Sequence, residues 1–75
     1  MTVADHTLRR LSELVDRVER NERSIGVLST GERIAVALVL NRTDLLPDTY
    51  PHVLHAVDRL DDYWLEAAIE IAKQR

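Results

Sequence analysis

Residues 29–40 read STGERIAVALVL, and this stretch decides the fold. Its opening fits a capping box. Ser29 serves as N-cap and Glu32 reaches back to the Ser29 backbone N–H. The seven residues from Ile34 to Leu40 are all apolar. A helix that is apolar all round is buried all round. The spacing therefore predicts a central helix 2 from Arg33 to about Arg42. Its β-branched residues would also suit a buried strand. No other segment reads as a partner strand, so the capping box decides for helix.

Working outward, the preceding segment predicts helix 1 from about Ala4 to Arg23. Ala4, Leu8, Leu11, Val15 and Val18 recur at steps of 4, 3, 4 and 3, with Leu14 flanking them. That is a heptad seam, narrower than the stripe of a core-facing helix. Glu13–Arg17, Asp16–Arg20 and Glu19–Arg23 are spaced for i,i+4 ion pairs on the solvent side, and Gly26 reads as the stop. Downstream, Asn41 to Pro51 is a connection with Leu45 and Leu46 tucked beneath it. Asp48 or Thr49 caps helix 3, about Tyr50 to Leu60, which turns Val53, Leu54, Val57 and Leu60 inward. Asp61 caps helix 4, which runs to about Lys73 and buries Trp64 or Leu65, Ala68, Ile69 and Ala72. The fold class expected is all-α: a compact three- to four-helix domain over residues 1–75 with helix 2 buried at its centre.

Composition narrows the function. A chain of 75 residues buries only about 60% of its unfolded surface, so its core is marginal. Domains of this size commonly add disulfides, a metal or an oligomer interface. There is no cysteine, which excludes disulfides and thiolate chemistry. The longest apolar run is seven residues, against the ~20 that span a bilayer. The N-terminus shows no signal-peptide pattern, so a cytoplasmic location is expected. Residues 1–42 hold seven bases and six acids, whereas residues 43–75 hold three bases and seven acids. The second half therefore carries a charge of −4, a poor footprint for a phosphate backbone.

Each chemistry-bearing feature has a plainer reading. His52 and His55 stand at i,i+3, with His6, Asp48 or Asp58 as conceivable further ligands. A zinc site wants three or four well-placed ligands, so no metal is expected, and no cofactor. Asp58, Asp61, Asp62 and Glu66 are dense enough for paired-carboxylate chemistry, which needs a cleft that separates their pKa values. Asp61 and Asp62 instead sit where a helix start favours negative charge. Ser29-Thr30-Gly31 lacks the lysine and glycines of a phosphate loop. No catalytic residue is expected, and the chain reads as a non-enzyme. A helix-turn-helix reading of helices 2 and 3 fails on the length of their connection.

What remains is suited to contact with proteins. The seam Leu8, Leu11, Val15 and Val18 predicts a homodimer through helix 1, or else packing on helix 2. Asp48, Tyr50, Asp58, Asp61, Asp62, Tyr63 and Glu66 predict an acidic, aromatic-studded patch that docks on a partner protein. In size and composition the chain resembles small acidic helical proteins of bacteria and their phages or plasmids, many of which bind and inhibit another protein. That resemblance covers no motif and implies no site residues. The function expected is a non-catalytic interaction module, a modulator or inhibitor of a partner protein. The alternative is a small dimeric transcriptional regulator that touches nucleic acid through the arginines of helix 1.

Overall fold

Ser29 starts the central helix as its sequence requires. Its hydroxyl accepts the Glu32 backbone N–H at 3.3 Å, and Glu32 Oε1 accepts the Ser29 N–H at 3.0 Å. From this start α2 runs Thr30–Val39. In the computed structural model, which describes residues 5–75, three further α-helices surround it: α1 (Asp5–Arg20), α3 (Val53–Arg59) and α4 (Asp62–Lys73). Two 3-10 segments, Glu22–Val27 and Thr43–Leu45, lie in the connections, and no strand occurs among the described residues. The fold is the all-α domain expected. Its Cα radius of gyration of 11.2 Å matches the ~11 Å of a compact domain of this length.

Ile34, Ala35, Val36 and Ala37 are buried and Val39 nearly so, while Leu38 and Leu40 are half-buried. So α2 meets neighbours on nearly every side: α1, α4, α3 and the second 3-10 segment. Leu45 and Leu46 close the core from beneath, as expected. Arg33 ties that segment down by donating from Nε to the Leu45 carbonyl at 2.8 Å.

The ends of α2 reveal how the helices run. Arg10 of α1 pairs with Glu32 near the start of α2, and Glu22, just past α1, pairs with Arg42 just past α2. Helices α1 and α2 therefore point in the same general sense. So does α4. Its Trp64 lines a cleft with Ser29–Glu32, while Arg75, beyond its other end, pairs with Glu19 of α1.

Helix 1 packs differently from a heptad seam. Leu14 is fully buried and Thr7 is buried, whereas Leu8 is only half so. The inner stripe is Thr7, Leu11, Leu14, Val15 and Val18, about 100° wide, as a helix touching two neighbours needs. Ala4 lies outside the described residues. The helix ends at Arg20, before the expected Gly26. Asn21 then caps a 3-10 turn by accepting the Arg23 N–H at 3.2 Å. The three expected i,i+4 ion pairs are not among those formed between described residues. Arg20 donates instead to the Asp16 carbonyl, and Glu19 is taken by Arg75.

Helices 3 and 4 correct two further expectations. Helix α3 starts later than expected, with His52 as its cap: Nδ1 accepts the Leu54 N–H at 3.2 Å. It buries Ala56 and, at its end, Leu60. Val53 and Leu54 point to solvent, Leu54 at 70% exposure. Asp61 does cap α4, accepting the Trp64 N–H at 2.9 Å. Yet α4 buries Ala67, Ala68 and Ile71, not Ile69 and Ala72. Its inner face is turned by one residue, about 100°.

Asn41 ends α2 with a positive φ of 54°. Its N–H bonds the Leu38 carbonyl and the Arg42 N–H bonds the Ala37 carbonyl, the two bonds of a Schellman motif. Asn41→Gly should leave stability unchanged or raise it slightly, and Asn41→Ala should lower it by about 1 kcal/mol. Ser29→Ala should also cost about 1 kcal/mol. Urea unfolding of the three variants followed by circular dichroism checks all of these. Equal midpoints for Asn41→Gly and Asn41→Ala would sink the left-handed-cap argument.

Candidate functional site

The expected acidic patch is distributed over three elements. Asp48 is exposed on the connection, where Tyr50 is half-buried against the core. Asp58 is exposed on α3. Asp61 is exposed but engaged as the cap of α4. Asp62, Tyr63 and Glu66 share the outer face of α4. Tyr63 is 60% exposed, and Glu66 is half-buried. One carboxylate oxygen of Glu66, Oε2, is shut off from solvent with no hydrogen-bond partner among the described residues.

The α4 face has members the sequence reading missed. Glu70 stands four residues after Glu66, and Ile69, 48% exposed, stands three after it. Tyr63 stands three before. Residues three and four apart are surface neighbours on a helix, so Glu66 lies between an aromatic and an aliphatic side chain within a row of carboxylates. The signal was present in the sequence. Acids at 62, 66 and 70 mark one line along the helix, and that line fixes the opposite face as Trp64, Ala67, Ala68 and Ile71.

The seam residues of helix 1 face inward. Leu11, Val15 and Val18 are buried and Leu8 half-buried, and α1 packs on α2 and α4 of the same chain. In this fold the stripe's partner is the chain itself. The outer side of α1 carries Glu13, Asp16, Arg17 and Arg20 along a groove of about 490 Å³, so two acids and two arginines share it.

Where α2 and α4 begin, a shallow cleft of about 440 Å³ opens between Ser29–Glu32 and Arg59, Asp61 and Trp64. Two helix starts would attract an anion, but each already has a carboxylate acceptor, Glu32 or Asp61. The cleft is therefore built for capping, and half-buried Trp64 lines it. The imidazoles of His52 and His55 lie 4.8 Å apart, centroid to centroid. Among the described residues no three His, Cys, Asp or Glu side chains converge as metal ligands. No helix of the described residues is long and apolar enough to cross a membrane.

The chain matches no family model, no curated protein and no solved structure.

The strongest local electrostatics are structural. The Ser29 backbone N–H holds the Glu32 carboxyl below its ordinary value of 4.5. Partial burial opposes this, and the Ser29 hydroxyl and Arg10 reinforce it. Arg42 likewise lowers Asp44 through a hydrogen bond, and is itself raised by Asp44 and Glu22. A carboxyl whose pKa is depressed by folding adds stability that is fully present above its unfolded value. That stability is lost as pH falls through the folded value. Stability should therefore fall as the solution is acidified from pH 7 to below about 4. Glu32→Gln should shrink that fall, because the amide does not titrate. Urea midpoints at the two pH values measure it, and an undiminished fall in the variant would remove Glu32 as a cause.

Proposed function

We propose that this chain is a non-catalytic protein-interaction module that docks the acidic surface of α3 and α4 on a basic surface of another protein, modulating or inhibiting it. One observation carries the reading. Of the five large apolar side chains that stand in solvent among the described residues, Val53, Leu54, Tyr63 and Ile69 lie on α3 and α4, and Val27 lies elsewhere. The same two helices carry Asp58, Asp62, Glu66 and Glu70. Leu54 and Asp58 are one turn apart on α3, as Asp62 and Glu66 are on α4.

Exposed apolar groups ringed by charge are the composition of a docking surface: the aromatic or aliphatic anchor supplies affinity and the charges supply orientation and rate. The acidic balance of residues 43–75 selects a basic partner surface. If that surface is one that binds nucleic acid, occupation by this domain would block it. The arginines of α1 support the nucleic-acid alternative less well, since Glu13 and Asp16 share their groove and Arg10 is engaged by Glu32.

The wild-type chain, immobilised in extract of its native host, should retain a basic protein. Asp58→Lys with Asp62→Lys should release it, while circular dichroism shows the helices intact. Retention of the same protein by wild type and variant alike would overturn the docking surface. In a gel shift at low salt the chain should form no complex with duplex DNA or RNA, and a salt-sensitive complex would favour the regulator instead.

A further inference from the structure

We infer that α3 is a pH-released helix: His52 caps it as a neutral imidazole, and protonation of His52 lets its first turn unwind while α1, α2 and α4 stay folded. The cap itself is the starting observation. His52 Nδ1 accepts the Leu54 N–H at 3.2 Å, at a position where helices ordinarily use Ser, Thr, Asp or Asn. A ring that accepts at Nδ1 is neutral and carries its proton on Nε2. Protonation turns Nδ1 into a donor facing another donor, so the bond is lost. It also puts a positive charge at the positive end of the helix.

A second imidazole adds to this. The ring centroid of His55 lies 4.8 Å from that of His52, and two imidazolium charges so close oppose each other. No carboxylate among the described residues lies within ion-pair distance of either ring. The nearest charged groups in sequence, Asp48, Asp58 and Arg59, are exposed, and Tyr50 is half-buried against the core. From α2, on which α3 packs, Arg42 lines a small cavity with Val53 and is held by Asp44 and Glu22. Toward the start of α2, Arg33 is taken by the Leu45 carbonyl, and Glu32 by Ser29 and Arg10. An imidazolium at His52 therefore gains no bonded partner in place of the cap.

Little else holds the turn. Helix α3 has seven residues and buries only Ala56 within it and Leu60 at its end among the described residues. A helix so short does not persist alone. Helices α2 and α4 are capped by Ser29 and Asp61, without an imidazole. The folded turn needs neutral His52, so α3 is held above the range in which imidazoles titrate and released as pH falls through it.

The test follows the full ¹³C,¹⁵N-labelled chain by NMR from about pH 8 to about pH 5, the range in which imidazoles change charge. Ring Cε1–H signals report protonation of His52 and His55, and Cα shifts of residues 53–59 report the helix. The ratio of unwound to helical α3 should rise about fivefold or more, as loss of a cap implies, in step with His52. Shifts in α1, α2 and α4 should stay fixed. His52→Asn supplies a cap that does not titrate, so α3 in that variant should stay helical throughout, with circular dichroism at pH 8 confirming its fold. His55→Gln keeps the cap and should show a weaker unwinding. Constant α3 shifts while both rings titrate would overturn the inference. So would equal unwinding in His52→Asn, loss of the transition in His55→Gln, or loss of all four helices together.

Discussion

Everything in this fold follows from having to bury a helix with almost no polar side. A ten-residue helix is about 15 Å long, and covering it on all sides takes more than one neighbour. Helix α1 supplies Leu11, Leu14, Val15 and Val18, α4 supplies Ala67, Ala68 and Ile71, and the second connection supplies Leu45 and Leu46. Alanines on α2 and α4 let backbones approach closely, since the separation of packed helices is set by the side chains at their contact. Among the described residues no aromatic ring is fully buried. Tyr50 and Trp64 are half-buried and pack against the core from its edge.

The shared direction of α1, α2 and α4 has an electrostatic consequence. Helices packed in the same sense place their positive ends together and their negative ends together. Acids sit at the starts, Asp5 on α1, Glu32 on α2, Asp61 and Asp62 on α4. Bases sit at the ends, Arg17 and Arg20 on α1 and Lys73 on α4, with Arg42 and Arg75 just beyond. Each such placement is worth roughly 0.3–1 kcal/mol. The ion pairs Arg42–Glu22 and Arg75–Glu19 then join neighbouring elements at the end where carbonyls crowd. They are exposed, so their effect is small individually. The charges thus offset the repulsion that the topology creates.

Much of this was legible before the structure, for a physical reason. Capping and burial of α2 are local: Ser29, Glu32 and seven apolar residues specify them without reference to the rest of the chain. Asp61 and the paired leucines 45 and 46 are equally local. What the sequence left ambiguous was rotation. In α4, the set Leu65, Ala68, Ile69 and Ala72 is about as apolar as Trp64, Ala67, Ala68 and Ile71, so hydrophobic periodicity alone cannot choose between them. The acids at 62, 66 and 70 do choose. In α1, reading Leu14 as a flank made a seam out of what is a broad stripe, because the presence of two neighbours was not visible locally. Helix α3 was misread through its length. Seven residues give a single inward turn, enough for Ala56 and Leu60 and too little for Val53 and Leu54.

The misreadings of α3 and α4 bear on the proposed function, because each had placed in the core an apolar residue that stands at the surface. A chain this small has few large apolar side chains to distribute, and every one left in solvent is withheld from a marginal core. Leu54 and Ile69 are withheld in this way, and Tyr63 with them. Isolated exposed apolar residues need no explanation. Here they share two short helices with a row of like charges, none ion-paired with a described residue, that also opposes folding. Two unfavourable features in one place, on a helix otherwise well capped and well packed, are what the proposed docking surface would account for.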